Sequence, residues 1–265
     1  MSDQLVEKSL DVDTGVLTLT LNRPQQRNSL SRALIGALDD AIAASANDPA
    51  VRVIILAGNG PGFCAGHDLK ELTAHREEAD GGRRFYQDTM RSCSAMMLNI
   101  LRCPKPVIAR VHGIATAAGC QLVASCDLAI ASLEAKFATP GVNLGLFCST
   151  PMVAISRNVG RKATMEMLLL GEMVPAAKAA ELGLVNKAVP ADELDQAVGE
   201  YAATIASKAS VTVAIGKEAY YRQLDMKIDD AYDYVSDVMV SNMLEADAEE
   251  GIGAFLEKRK PRWHS

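Results

Sequence analysis

Apolar and polar residues alternate through GVLTLTLNRP (15–24), and the alternation stops at Pro24. A period of two predicts a strand, which a proline then ends. The next stretch, SLSRALIGALDDAIAASANDPA (29–50), repeats its apolar residues at helical spacing, with Ser29 or Ser31 placed to cap the first turn. VRVIILAGNG (51–60) is a short apolar run closed by turn residues, the pattern of a buried strand. LKEL (69–72) opens a helix, and GRRFYQDTMRSCSAMMLNILRC (82–103) has the periodicity of a long amphipathic one. KPVIARVHGIATAAGCQLVASCD (105–127) reads as strand, small-residue turn and helix, and LAIASLEAKFATP (128–140) as two short extended pieces.

Extended run, turn and helix thus recur at 15–45, 51–75 and 105–125 without an exact sequence repeat, which predicts an α/β succession. Beyond residue 195 the pattern is helical, with VTVAI (211–215) ambiguous between helix and strand. Residues 1–195 therefore read as an α/β core and 196–265 as a helical region, of the kind that packs on a neighbouring subunit.

With 265 residues, 49% of them hydrophobic, the chain can bury a sizeable core. A net charge of −6 argues against a nucleic-acid surface. No apolar run approaches the roughly 20 residues that a membrane helix needs. The opening MSDQLVEKSLDVDTG has neither the apolar core of a secretory signal nor the arginines of a transit peptide. Six cysteines (64, 93, 103, 120, 126 and 148) sit mostly in apolar segments, form no CxxC pair and have no zinc spacing with histidine. Buried free thiols in a reducing compartment follow, and with them a cytoplasmic location and no bound metal.

Two loops could carry chemistry. In FCAGHDLKEL (63–72) a histidine stands between glycine and aspartate just before a helix start. It could be a base, a ligand, or a backbone amide whose side chain is incidental. In HGIATAAGCQ (112–121) small residues again precede a helix start. Small residues let a ligand approach the backbone, and a helix start leaves N–H groups unpaired. Two such loops facing each other would donate two backbone hydrogen bonds to one oxygen, an oxyanion hole suited to turning a carbonyl into an enolate. Either loop alone is also what close packing produces. Neither holds a GxGxxG or a Walker A lysine.

These residues carry a resemblance. LNRPQQRNSLS (21–31), VIILAGNGPGFCAGHDLKEL (53–72), KPVIARVHGIATAAGCQLVASCDLAIAS (105–132), FATPGVNLGLF (137–147), AAKAAELGLVNKAVP (176–190) and EGIGAFLEKRKPRW (250–263) resemble the crotonase, or enoyl-CoA hydratase/isomerase, superfamily, in order and over nearly the whole chain. The resemblance implies an α/β crotonase (ClpP-like) spiral of ββα units, followed by C-terminal helices that build a trimer or a hexamer of paired trimers. It implies an acyl-CoA thioester as ligand, with coenzyme A as part of the substrate and no separate cofactor. The thioester oxygen would meet the N–H groups of His67 and Ala118. Arg27, Ala65, His67, Asp68, Leu69 and the basic Lys258 would line the path of coenzyme A, although LEKRKPR is equally a solvated helix end. No nucleic-acid or membrane partner is implied.

The chain departs from that family where two glutamates activate water in hydratases. The corresponding positions are Gln121 and Gly141, and neither can exchange a proton. Ordinary hydration should be weak or absent, and restoring glutamate at both positions should favour it. Decarboxylation, hydrolysis or isomerisation of a CoA ester stays open, as does acyl-CoA binding without chemistry. His67, Cys148, Glu71 and Glu134 are candidate substitutes, each with a plainer reading as an amide donor, a core thiol or surface charges. His112 and Asp127 read as structural, and Asp68 as the cap of the helix starting at Leu69.

Overall fold

The computed structural model describes residues 4–265. The first residues of the expected 1–195 core thus lie outside the described part. The strands are β1 (Val6–Asp11), β2 (Val16–Leu21), β3 (Val53–Gly58), β4 (Gly62–Cys64), β5 (Val107–Val111), β6 (Ile114–Thr116), β7 (Leu128–Ser132), β8 (Lys136–Ala138), β9 (Val174–Pro175) and β10 (Lys187–Val189). The helices of the first half are α1 (Arg32–Ala46), α2 (Leu69–Ala74), α3 (Arg83–Arg102) and α4 (Ala118–Ser125). Then come α5 (Ser149–Ile155), α6 (Arg161–Leu170), α7 (Ala176–Glu181), α8 (Leu194–Ala206), α9 (Ser210–Gln223), α10 (Ile228–Met243) and α11 (Ala246–Leu256).

Two sheets alternate along the chain. Six strands run in the order β1-β2-β3-β5-β7-β10, all parallel except β1. Four short strands form the second sheet, β4-β6-β8-β9. Each repeat places its first strand in the large sheet and its second in the small one: β3 with β4, β5 with β6, β7 with β8. A helix follows each pair. This is a spiral of ββα units, and the recurrence at 51–75 and 105–125 is its trace in the sequence.

Pattern and burial agree where the pattern is strong. β3 is almost wholly buried because helices cover both faces of the large sheet. One face meets α1, α3 and α4 in the main core, and α4 has every residue buried. The other face is closed by Leu194, Ala197, Val198 and Ala202 of α8 against Val53, Ile55, Ile108 and Ile130. Ser31 caps α1 by accepting from Leu34 N–H. VTVAI lies inside α9, whose Lys217 holds the helix to the core. Its Nζ is 2.6 Å from the Asp127 carboxylate, which also takes Tyr221 Oη and Val107 N–H. Asp127 is thus the structural anchor its position predicts, although burial raises its pKa.

Candidate active site

The first loop is aimed by its pairing with residues 27–30. Ala65 N–H donates to Arg27 O, Leu30 N–H to Gly66 O and Asp68 N–H to Leu30 O, at 2.7–3.0 Å. Successive peptide groups of extended backbone point in opposite directions. With the carbonyl of Gly66 and the N–H of Asp68 turned toward that partner, the N–H of His67 is turned away from it. Among the described residues it has no acceptor.

The second loop is aimed by an unusual backbone. Ala117 holds φ 50° and ψ −118°, a conformation that side-chain-bearing residues rarely adopt. Its own N–H donates to Ala138 O at 2.9 Å. The next N–H, of Ala118, opens α4 and has no acceptor among the described residues. At a helix start this is the end that favours negative charge.

The two loops touch. Thr116 Oγ1 donates to Ala65 O at 3.1 Å. A Cβ on Gly66, which has φ 88°, would lie 2.9 Å from Thr116 O and 3.3 Å from Ala118 N. A Cβ on Gly119 would lie 2.0 Å from Cys64 O, so only glycine fits there. The small residues of both loops therefore serve packing, and that packing seats Gly66 against the backbone of Thr116 and Ala118.

Neither of the two positions at which the resemblance implies a glutamate holds a carboxylate. Gln121 stands one turn into α4, is 4% exposed, and its Oε1 is buried without a hydrogen-bond partner. Gly141 is buried in the turn Pro140–Leu144. A Cβ there would lie 2.9 Å from Cys148 Sγ and 3.1 Å from Leu146 O, so the Cys148 thiol fills the space a side chain at 141 would enter. Burial pushes that thiol's pKa up. Glu71 is engaged by Arg32 N–H at 3.0 Å, and Glu134 is exposed. His112 Nε2 lies 2.9 Å from Gly60 O, a structural contact.

The His67 imidazole is largely buried, its Nε2 has no partner, and burial lowers its pKa from 6.5 to about 4. It is neutral at pH 7. Between pH 4 and 6.5 the unfolded chain binds this proton and the folded one does not, so stability rises with pH across that window. At about 1.4 kcal/mol per unit, the His67 contribution lost on acidification is on the order of 3 kcal/mol. Replacing His67 with Gln should flatten that part of the pH dependence in urea melts. An unchanged slope would contradict the buried neutral imidazole.

The residues expected along the coenzyme A path divide into two groups. Arg27, Ala65, His67, Asp68 and Leu69 lie together on the first loop and its partner segment, with Arg27 and Leu69 exposed. Asp68 caps α2 through Lys70 N–H and Glu71 N–H and pairs with Arg23 at 2.9 Å, contacts that lower its pKa against the desolvation that raises it. Lys258 stands apart, exposed at φ 56° after α11, which packs on α9 and α10.

Two residues that position the site escaped the sequence reading. Arg23 bridges Ser29 O and Asp68. Asn28, wholly buried at φ 54°, donates from Nδ2 to Asn59 O, Gly62 O and Phe63 O and accepts from Arg23 N–H. The only local signal was an asparagine in a turn, the residue that best tolerates a left-handed backbone after glycine.

Comparison with known proteins follows the same geometry. The family model described as enoyl-CoA hydratase/isomerase matches residues 11–265. A Xenopus laevis protein named enoyl-CoA hydratase domain-containing protein 3, mitochondrial, is 46% identical over 96% of this chain and 85% of its own. The human protein of that name is 46% identical over 94% of this chain and 80% of its own. Among solved structures, a Mycobacterium smegmatis enoyl-CoA hydratase superposes with a TM-score of 0.94 at 51% identity, covering 98% of this chain and 99% of that one. The human structure of the domain-containing protein 3 gives 0.92 at 44%, covering 98% and 100%. With its ββα spiral and this agreement along almost its full length, the chain belongs to the enoyl-CoA hydratase/isomerase, or crotonase, family.

Proposed function

We propose that the protein binds an acyl-CoA and polarises its thioester carbonyl with the N–H groups of His67 and Ala118. The observation that carries this reading is that both donors lack an acceptor among the described residues while their loops are in contact. As the carbonyl gains enolate character, both hydrogen bonds strengthen. Each donor of this kind is worth about 10²–10³ in rate. Arg27, Ala65, His67, Asp68 and Leu69 border the coenzyme A path on this loop and its partner segment, and Lys258 lines it from the end of α11.

Ordinary hydration is weak or absent, since Gln121 and Gly141 supply neither the base nor the acid that contributes about 10²–10⁴ in such reactions. Decarboxylation or isomerisation of a CoA ester uses the same enolate stabilisation. A second reading, acyl-CoA binding without turnover, is favoured by the Cys148 thiol standing where the second glutamate would emerge. The subunits associate as trimers through the apolar residues that one chain leaves exposed on its C-terminal helices, among them Leu244 at 83% and Phe255 at 81%. The relatives' names place those proteins in mitochondria. For this chain six buried, unpaired thiols support a reducing compartment.

Calorimetric titration with coenzyme A and butyryl-CoA tests binding, and no heat from either overturns both readings. Crotonyl-CoA, malonyl-type and 3-enoyl esters test turnover. Hydration of crotonyl-CoA with a kcat on the order of 10 s⁻¹ would contradict the assignment of Gln121 and Gly141 as the lost acid–base pair.

A further inference from the structure

The face of the large sheet that α8 covers carries a cavity which the acyl-CoA reading does not use. Thr18 pairs with Ile55 and Thr20 with Ala57, so these side chains share that face. Helix α8 closes Ile55, Ile108 and Ile130, while Thr18 and Thr20 beside them stay half-buried. Thr18, Thr20 and α8 border a cavity of about 380 Å³. Small-molecule sites span roughly 300–1,000 Å³. Its floor is the carboxyl-terminal half of the parallel strands β2, β3 and β5, the end at which α/β sheets bind ligands.

The fold leaves the polar groups of this cavity only partly used. Arg110 Nε pairs with Asp195 of α8, but neither Nη of Arg110 has an acceptor among the described residues, and the second carboxylate oxygen of Asp195 has no donor. The hydroxyls of Thr18 and Thr20 are likewise without partners among the described residues. Gly199 follows Asp195 by four positions, on the same face of α8. Glycine weakens a helix interior. No neighbour requires it here, since a Cβ would meet nothing within 4 Å. What the missing side chain leaves is room in the cavity.

Charge selects the occupant. The two Nη groups of an arginine form a fork that fits a carboxylate. A simple anion on that fork would also face Asp195, and Glu7, which holds Asn59 at the rim, adds a second negative charge. A simple cation would face Arg110. A zwitterion meets both needs: its carboxylate takes the Nη pair, and its ammonium donates to the free oxygen of Asp195. Ile55, Ala57 and Val198 offer an apolar wall to a side chain.

We propose that this cavity binds a small α-amino acid with an apolar side chain, its carboxylate on Arg110 and its ammonium on Asp195. None of these residues belongs to the His67 or Ala118 loop, so the site stands or falls separately from the acyl-CoA reading.

Calorimetric titration of the full-length protein with L-leucine, isocaproate, isoamylamine and glycine tests this. Isocaproate is leucine without its ammonium, isoamylamine is leucine without its carboxylate, and glycine lacks the side chain. Leucine should bind saturably, and each of the other three at least about 10-fold more weakly, the loss expected for one charge-assisted hydrogen bond or one apolar side chain. Gly199→Phe fills open space, so it should abolish leucine binding without lowering Tm. Arg110→Gln should weaken leucine by at least about 10-fold and leave isoamylamine unchanged. Absence of saturable leucine binding, a fragment that binds as tightly as leucine, or leucine binding that survives Gly199→Phe overturns the site. The four wild-type affinities decide even where a variant does not fold.

Discussion

A chain carrying Gln121→Glu and Gly141→Glu is expected to stay near background with crotonyl-CoA until Cys148 is also cut back to alanine. The obstacle at 141 is space and not backbone conformation, because Gly141 is not among the residues with positive φ. A Cβ there meets Cys148 Sγ at 2.9 Å and then Leu146 O at 3.1 Å and Cys148 N at 3.3 Å. The first contact is closer than real Cβ atoms come, and the second requires a shift of a few tenths of an ångström. Cys148→Ala removes the first and leaves the second, so rescue should be partial. The triple variant should exceed the double by about 10²-fold in kcat/KM, the lower end of what a positioned acid–base group contributes. Absorbance of the enoyl thioester reads the rate directly. Equal rates for double and triple variants would show that the thiol does not block the second position.

Asn28→Ala should be among the most destabilising single changes in this molecule. It strips the donor from three carbonyls, those of Asn59, Gly62 and Phe63, two of them in buried contacts, and removes the acceptor of Arg23 N–H. It also places alanine at φ 54°. Unsatisfied buried groups cost about 1–3 kcal/mol each, so a total of about 4 kcal/mol follows. For a chain of this size that lowers Tm by on the order of 10 °C. Gly62 and Phe63 lie in β4, the strand that leads into the His67 loop, so acyl-CoA affinity should fall as well. Asn28→Gly separates the two costs. It relieves the backbone but not the carbonyls, and should recover about 1 kcal/mol. A Tm change of less than about 2 °C for Asn28→Ala would show that the carbonyls find other donors.

How much of this was legible beforehand differed from element to element. The strand at 51–60 and the helix at 82–103 could be read because burial of one face, or of both, dictates a periodic pattern. The strand β1 carried no such pattern: along Val6–Asp11 burial alternates poorly, and its place is set by six antiparallel pairings to β2. The three-residue strands β4, β6 and β8 are shorter than any period that could announce them. The small-residue loops pointed to close backbone approach, but not to which of two roles, packing or donation, they serve. The structure shows the packing directly and leaves the amides of His67 and Ala118 free beside it.

Local pattern determined the α/β succession, and the resemblance of six ordered segments to a known family pointed to its membership, because both are properties of residue type and order along the chain. Only the tertiary structure decided that the Cys148 thiol occupies the space beside Gly141, that Asn28 props the loop of His67, and that Gln121 and His67 keep polar atoms without partners. Those facts depend on which distant backbone carbonyls and side chains share a few cubic ångströms. Spacing along a chain does not encode such contacts when they are made by turns and short strands brought together from four separate segments.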